Sequence, residues 1–84
     1  MTETHIKDTV IRLLKRTAPE GDPTRLAPDQ NVREALDIDS YDFLMFLIAL
    51  DEELGVEIPE ADYGKLITLN DIVSYLTARV AKVS

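Results

Sequence analysis

A serine flanked by carboxylates is the feature of this sequence whose residue types could carry chemistry. Ser40 lies in the stretch Leu36-Asp37-Ile38-Asp39-Ser40-Tyr41-Asp42, after a proline-rich connection and before a strongly apolar segment. A serine at such a junction is exposed and can be reached by another protein. It is also a good N-cap, since its hydroxyl can accept a hydrogen bond from the first helical turn. The local pattern alone favours the N-cap, with Asp39 as a second candidate for that position.

The other chemistry-bearing residues do not complete an active site. The chain has no cysteine, which excludes disulfides, thiolate metal sites and a thiol nucleophile. Its single histidine, His5, lies near the N-terminus and is poorly placed for a Ser-His-Asp triad. Asp37 and Asp39 have the spacing that opens a calcium loop, but the glycine and glutamate such a loop needs are replaced by Asp42 and Ile48. The many neighbouring carboxylates look solvated, whereas acid–base catalysis needs a desolvated one. We therefore expect no metal site and a protein on which enzymes act, not an enzyme.

Acidic residues are concentrated in the middle of the chain. The formal net charge of the 84 residues is −7, and residues 29–62 alone hold 11 acidic residues against one basic residue, Arg33. Such a surface repels phosphate backbones and anionic lipid, so we expect neither nucleic acid nor a membrane as partner. The acidic segment either keeps the protein in solution or docks basic partner proteins.

Length and hydropathy predict one domain over residues 1–84. The longest apolar run, Phe43–Leu50, has eight residues, whereas a membrane span needs about 20. The first residues lack the basic start and apolar run of a signal peptide. The expectation is a cytoplasmic monomer without a membrane-spanning segment.

Helical periodicity assigns the elements that must position Ser40. Apolar residues at spacings of 3, 4 and 7 predict main helices over Thr4–Thr17, over Ser40–Leu54 and from Thr68 onward. A short helix is predicted within 60–66 and a single helical turn within 31–36. Thr68 and Asp71 resemble a capping box, and Gly55 a helix stop. The fold class is all-α, a small bundle of three main helices plus one short helix.

The helix predicted after Ser40 is apolar around most of its circumference. Besides the core stripe of Phe46, Leu50 and Leu54, residues 43–45, 47 and 48 are apolar. A surface helix normally confines apolar residues to one arc. Either the helix is central to the fold, or its outer side binds an apolar partner.

Several motifs at matching spacing resemble the acyl carrier protein family over most of the chain. Asp39-Ser40 looks like the family's Asp-Ser attachment motif at the head of the second helix. The run Ala49–Pro59, ending in Glu-Ile-Pro, and the segment Lys65–Leu69 resemble two further stretches of that family, and Val32 and Leu36 match the apolar residues before its motif. On this pattern the chain is identified as a member.

The resemblance implies a covalent cofactor and its partners. Ser40, with Asp39 as motif neighbour, would receive 4′-phosphopantetheine from coenzyme A through a separate phosphopantetheinyl transferase, and the thiol would carry acyl groups as thioesters. Acyl-transferring or synthase enzymes with basic patches would dock on a surface containing Asp39, Tyr41, Asp42, Met45, Asp51, Glu52 and Glu57. By the same mapping, the acyl-pocket residues are Val32, Phe46, Leu50, Ile58, Tyr63, Leu66, Ile72 and Tyr75, which are also ordinary core residues.

Two departures from the family pattern indicate a specialised carrier. Tyr41 follows the serine where leucine is common, and Met45 stands where fatty-acid carriers often have glutamate. Apolar contact would then replace part of the charge pairing at a partner interface. Other hypotheses stay open. The chain could be a carrier of aminoacyl, peptidyl or polyketide units, or an unmodified interaction module of the same fold. It could also be a small hydrolase that uses Ser40, although the sequence offers no base for that serine.

Overall fold

Three long helices and shorter helical segments make up the structure, a computed structural model that describes residues 2–83, with side chains for residues 2–80. The long helices are α1 (Glu3–Thr17), α3 (Ser40–Leu54) and α4 (Leu69–Val83). The short α2 (Val32–Ala35) precedes α3, and two 3₁₀ helices span Pro23–Arg25 and Glu60–Lys65. The all-α prediction is confirmed, and the short helix expected within 60–66 is the second 3₁₀ helix. The first 3₁₀ helix was not predicted.

Side-chain caps determine where the long helices begin and end. The Thr2 hydroxyl accepts a hydrogen bond from the His5 amide at 3.1 Å, so α1 begins one residue before the predicted start. Thr68 and Asp71 exchange side-chain-to-amide bonds of 3.1 and 3.0 Å, which confirms the capping box ahead of α4. Gly55 ends α3 with a φ of 63°, a left-handed conformation that glycine adopts without steric cost.

The core lies between α1 and the other two long helices, because α1 packs against both α3 and α4. Ile6, Val10 and Leu14 of α1 are fully buried, as are Leu50 of α3 and Leu76 of α4. The outer side of α3 nevertheless remains apolar. It exposes a row that we call the apolar stripe, formed by Tyr41, Leu44, Met45 and Ile48. The helix thus contributes buried side chains to the core and also exposes apolar ones, and the binding of an apolar partner by its outer side stays a prediction.

The connection from α1 to α3 follows a defined path over the bundle. Lys15 Nζ donates to the carbonyl oxygens of Pro19 and Gly21, at 3.1 and 2.8 Å. Further along, the Val32 amide donates to Ile67 O at 3.0 Å and the Asn70 amide to Pro28 O at 2.9 Å. These bonds attach the start of α2 and the residues before it to the start of α4.

Candidate functional site

Ser40 is exposed at the first position of α3, and its hydroxyl is not used as a cap. The N-cap is Asp39, whose Oδ1 accepts a hydrogen bond from the Asp42 amide at 2.8 Å. Ser40 Oγ makes no hydrogen bond to any residue in the described part of the chain. Of the two predicted cap candidates, the structure thus selects Asp39 and leaves the serine oxygen available to react.

A tight turn between α2 and α3 presents this serine. Asp37 has a φ of 53°, its amide donates to Glu34 O at 3.4 Å, and the Ile38 amide donates to Arg33 O at 2.9 Å. This paired bonding at a left-handed residue is the Schellman stop of a helix. Ile38 is buried, so the turn is anchored in the core directly before Asp39 and Ser40.

A surface cleft of about 390 Å³ has Ser40 in its lining. Its walls are mostly apolar and come from α3 and from the segment before α4: Phe43, Leu44, Leu47, Tyr63, Gly64, Leu66 and Ile67. Asn31 and Arg33 add polar groups to the same lining. The guanidinium carbon of Arg33 lies 5.7 Å from the centroid of the Phe43 ring. We call this feature the serine cleft.

The predicted acyl-pocket residues coincide only in part with this cleft. Six of the eight are buried in the core, namely Val32, Phe46, Leu50, Ile58, Leu66 and Ile72, while Tyr63 and Tyr75 pack half-buried against it. Only Tyr63 and Leu66 also line the serine cleft. A role of the eight in holding an acyl chain therefore stays a prediction.

The cleft residues on α3 have a recognisable spacing in the sequence, whereas those from the preceding connection do not. Ser40, Phe43, Leu44 and Leu47 follow the helical spacing of 3, 4 and 7, so they share one face of α3. Arg33 and Asn31 come from the preceding connection, and nothing in their own spacing placed them there.

The predicted partner-binding residues are mostly on the outside of α3. Tyr41 is 68% and Met45 46% exposed, and Asp39, Asp42, Glu52 and Glu57 are also exposed. Asp51 differs, since it is half-buried and its carboxylate accepts a hydrogen bond from the Ile58 amide at 3.1 Å. Asp51 therefore fixes the segment after α3 through its bond to Ile58.

A second cleft separates α3 from the end of α1. Its volume is about 420 Å³, and Asp42, Met45, Ile48 and Glu52 face Arg16 across it. Apolar and anionic side chains thus lie next to one another on this side of α3.

Asp62 forms a hydrogen-bonded cluster that the sequence did not reveal. Its Oδ2 accepts from the Tyr75 hydroxyl at 2.6 Å and from Arg79 at 2.9 Å, and Oδ1 accepts from Lys65 at 3.2 Å. The bond from Tyr75 is the main reason that the pKa of Asp62 lies below its usual value. Burial, together with the bond to Asp62, raises the pKa of Tyr75. The cluster joins the second 3₁₀ helix to α4.

The described residues offer neither a metal-binding cluster nor a helix that could cross a membrane. Among them no group of three or more histidine, cysteine or carboxylate side chains is arranged to hold a metal ion. No described helix has both the length and the apolarity to cross a bilayer.

Comparison with known proteins agrees with this geometry. A family model described as "Phosphopantetheine attachment site" matches residues 5–76. An acyl carrier protein of Thermosynechococcus vestitus is 38% identical over 60 residues, which cover 71% of this chain and 74% of that protein. An acyl carrier protein of Campylobacter hominis is 34% identical over 71 residues, 84% of each chain. These relatives are carriers rather than enzymes.

The fold has a counterpart among solved structures. An acyl carrier protein from Enterococcus faecalis superimposes with a TM-score of 0.74, covering 94% of this chain and 99% of its own. The two sequences are 22% identical, so this likeness concerns the fold.

Proposed function

Because the chain belongs to the acyl carrier protein family and contains its phosphopantetheine attachment domain, we propose that Ser40 is the residue that carries 4′-phosphopantetheine. The observation that supports this assignment is the unbonded, exposed Ser40 hydroxyl, free because Asp39 caps the helix. The same residue lines the serine cleft, whose mostly apolar walls suit a flexible organic arm.

The chemistry of attachment requires a second protein. A serine hydroxyl is a weak nucleophile without an adjacent base, and the described residues provide no hydrogen-bonded base for Ser40. A phosphopantetheinyl transferase would take the proton while Ser40 Oγ attacks the β-phosphorus of coenzyme A. The Oγ–P bond forms, the P–O bond of the pyrophosphate breaks, and adenosine bisphosphate leaves. When bound, the group supplies the thiol that this chain lacks and on which acyl groups are held as thioesters.

The surface around α3 supports docking by proteins that are both basic and apolar. The apolar stripe starts beside Ser40, and the carboxylates of Asp39, Asp42 and Glu52 flank it. Complementary charge speeds encounter, whereas buried apolar contact slows dissociation. We propose that the transferase and acyl-transferring enzymes bind here, and that Met45 makes this a carrier for one specialised pathway. Substituting Met45 with glutamate should therefore change the affinity of those partners.

Intact mass spectrometry tests the attachment site. The protein is incubated with coenzyme A, Mg²⁺ and a broad-specificity phosphopantetheinyl transferase, alongside Ser40→Ala and the control Ser74→Ala, which removes an exposed serine of α4. Wild type and Ser74→Ala should each gain one phosphopantetheine, and Ser40→Ala none. Ser40→Ala should keep its stability to within about 0.5 kcal/mol, since it removes no cap.

Two results would contradict the proposal. One is an unmodified wild-type protein under conditions in which the same transferase modifies another carrier. The other is a modified Ser40→Ala variant, which would move the attachment to another residue.

A further inference from the structure

Arg33 brings a positive charge to the cleft that Ser40 lines. It is the one basic residue among 11 acidic residues in the segment 29–62. It lines the serine cleft together with Ser40 and Phe43. Ser40 and Phe43 are three residues apart on α3 and therefore share a face. The Arg33 guanidinium lies 5.7 Å from the Phe43 ring centroid, so its charge is placed at the α3 side chain that follows Ser40 on this face.

The contacts of Arg33 orient it without neutralising it. Nε donates a long hydrogen bond of 3.4 Å to Ile38 O, and the Phe43 ring lies against the guanidinium. Glu34 and Asp37 share a neighbouring groove with Arg33. In the described part of the chain, however, no carboxylate comes within 4.0 Å of its guanidinium. The outer N–H groups of the guanidinium remain available to an anion.

An oriented guanidinium is the side chain best suited to a phosphate ester, since its paired N–H groups match two phosphate oxygens. We propose that Arg33 binds the phosphodiester that links 4′-phosphopantetheine to Ser40, and so directs the arm along the serine cleft. The inference rests on the proposed function, because this phosphodiester exists only when Ser40 is modified. A further negative charge on Ser40 would otherwise face the acidic segment uncompensated.

Nuclear magnetic resonance of the holo protein, without any acyl group, tests the contact. Arg33→Gln is compared with wild type, with Arg33→Lys, and with Arg25→Gln, which removes the same charge from the exposed first 3₁₀ helix. The readouts are the ³¹P chemical shift of the phosphodiester and the cross-relaxation between arm protons and Phe43. Arg33→Gln should move the ³¹P shift and weaken the cross-relaxation about two- to fivefold, the effect of one exposed charge pair.

The companion measurements separate the interpretations. Arg33→Lys should have a ³¹P shift and cross-relaxation between those of wild type and Arg33→Gln, and Arg25→Gln should have the wild-type values. Addition of 1 M NaCl should move both readouts of wild type toward those of Arg33→Gln. The amide spectrum of apo Arg33→Gln shows whether this variant folds. If it does not fold, the NaCl dependence of the wild-type ³¹P shift and cross-relaxation tests the contact instead.

The inference is overturned if Arg33→Gln and Arg25→Gln both keep the wild-type ³¹P shift and cross-relaxation. It is also overturned if a change occurs only after acylation, since Arg33 would then contact the cargo instead. Failure of wild type to become modified would reject the proposed function and this inference together, whereas a modified protein indifferent to Arg33 would reject the inference alone.

Discussion

At the scale of single residues, Asp37 is the one residue other than glycine with a left-handed backbone in the described part of the chain. Its φ of 53° is left-handed, a region that costs a residue with a Cβ roughly 1–2 kcal/mol, although aspartate tolerates it better than most. Glycine would remove this cost but would lose about 0.5–1 kcal/mol more backbone entropy on folding. We expect Asp37→Gly to raise the free energy of unfolding by up to about 1 kcal/mol, measured by denaturant titration.

The matched control for this substitution is Asp37→Ala. Both variants remove a carboxylate from the acidic segment, but alanine keeps the Cβ that makes the conformation strained. Glycine should therefore exceed alanine in stability. Equal stability of the two variants would show that charge, and not backbone geometry, accounts for any gain.

At the scale of elements, the attachment of the second 3₁₀ helix to α4 depends on Asp62. The Tyr75 hydroxyl and the neighbouring cations hold the pKa of Asp62 below its usual value of 3.8. A carboxyl group with a lowered folded-state pKa stabilises the protein above its unfolded pKa and loses that contribution as the pH falls through the folded value. Asp62→Asn should therefore reduce stability at neutral pH, and its difference from wild type should shrink as the pH falls below 3.8.

Hydrogen exchange localises this effect. The amides of residues 60–65 should exchange faster in Asp62→Asn than in wild type, because the 3₁₀ helix opens locally without its link to α4. Glu60→Gln, an exposed change on the same 3₁₀ helix, should alter neither the exchange nor the acid profile. A pH-independent difference between Asp62→Asn and wild type would argue against the ionised carboxylate as the stabilising group.

The same elements show what could be predicted from the sequence and what could not. Helical periodicity placed both ends of α1 and α3 and the start of α4 to within a residue, because 15-residue helices repeat their apolar spacing several times. The first 3₁₀ helix is only three residues long and has no such repeat, although Asp22 before Pro23 is a start signal. The bond between Asp62 and Tyr75 joins residues 13 positions apart, and the place of Arg33 in the serine cleft likewise depends on how the connection packs. Contacts of this kind follow from tertiary structure alone.

At the scale of the whole molecule, the dominant unbalanced force is repulsion among carboxylates. Of the 11 acidic residues in segment 29–62, only Glu53 and Asp62 form ion pairs within the part whose side chains are described, with Arg12 for the former and with Lys65 and Arg79 for the latter. The molecule measures 35 × 25 × 20 Å, and at 0.01 M salt charges interact over about 30 Å. At low ionic strength nearly every carboxylate therefore acts on every other.

Salt should consequently stabilise the protein. Raising NaCl from about 0.01 to 0.5 M shortens the range of repulsion to a few ångströms, and we expect Tm to rise by roughly 4–8 °C, the equivalent of about 1 kcal/mol in a chain of this size.

Removing two unpaired charges of the acidic segment, in Glu57→Gln/Glu60→Gln, should raise Tm at low salt and flatten its dependence on NaCl. The control Asp8→Asn/Glu20→Gln removes two exposed acids from the balanced first third of the chain and should keep the wild-type slope. Either a Tm that does not respond to NaCl or equal NaCl slopes in the two double variants would contradict this. Repulsion within the acidic segment would then reduce the stability of the fold only slightly, without help from salt or a basic partner.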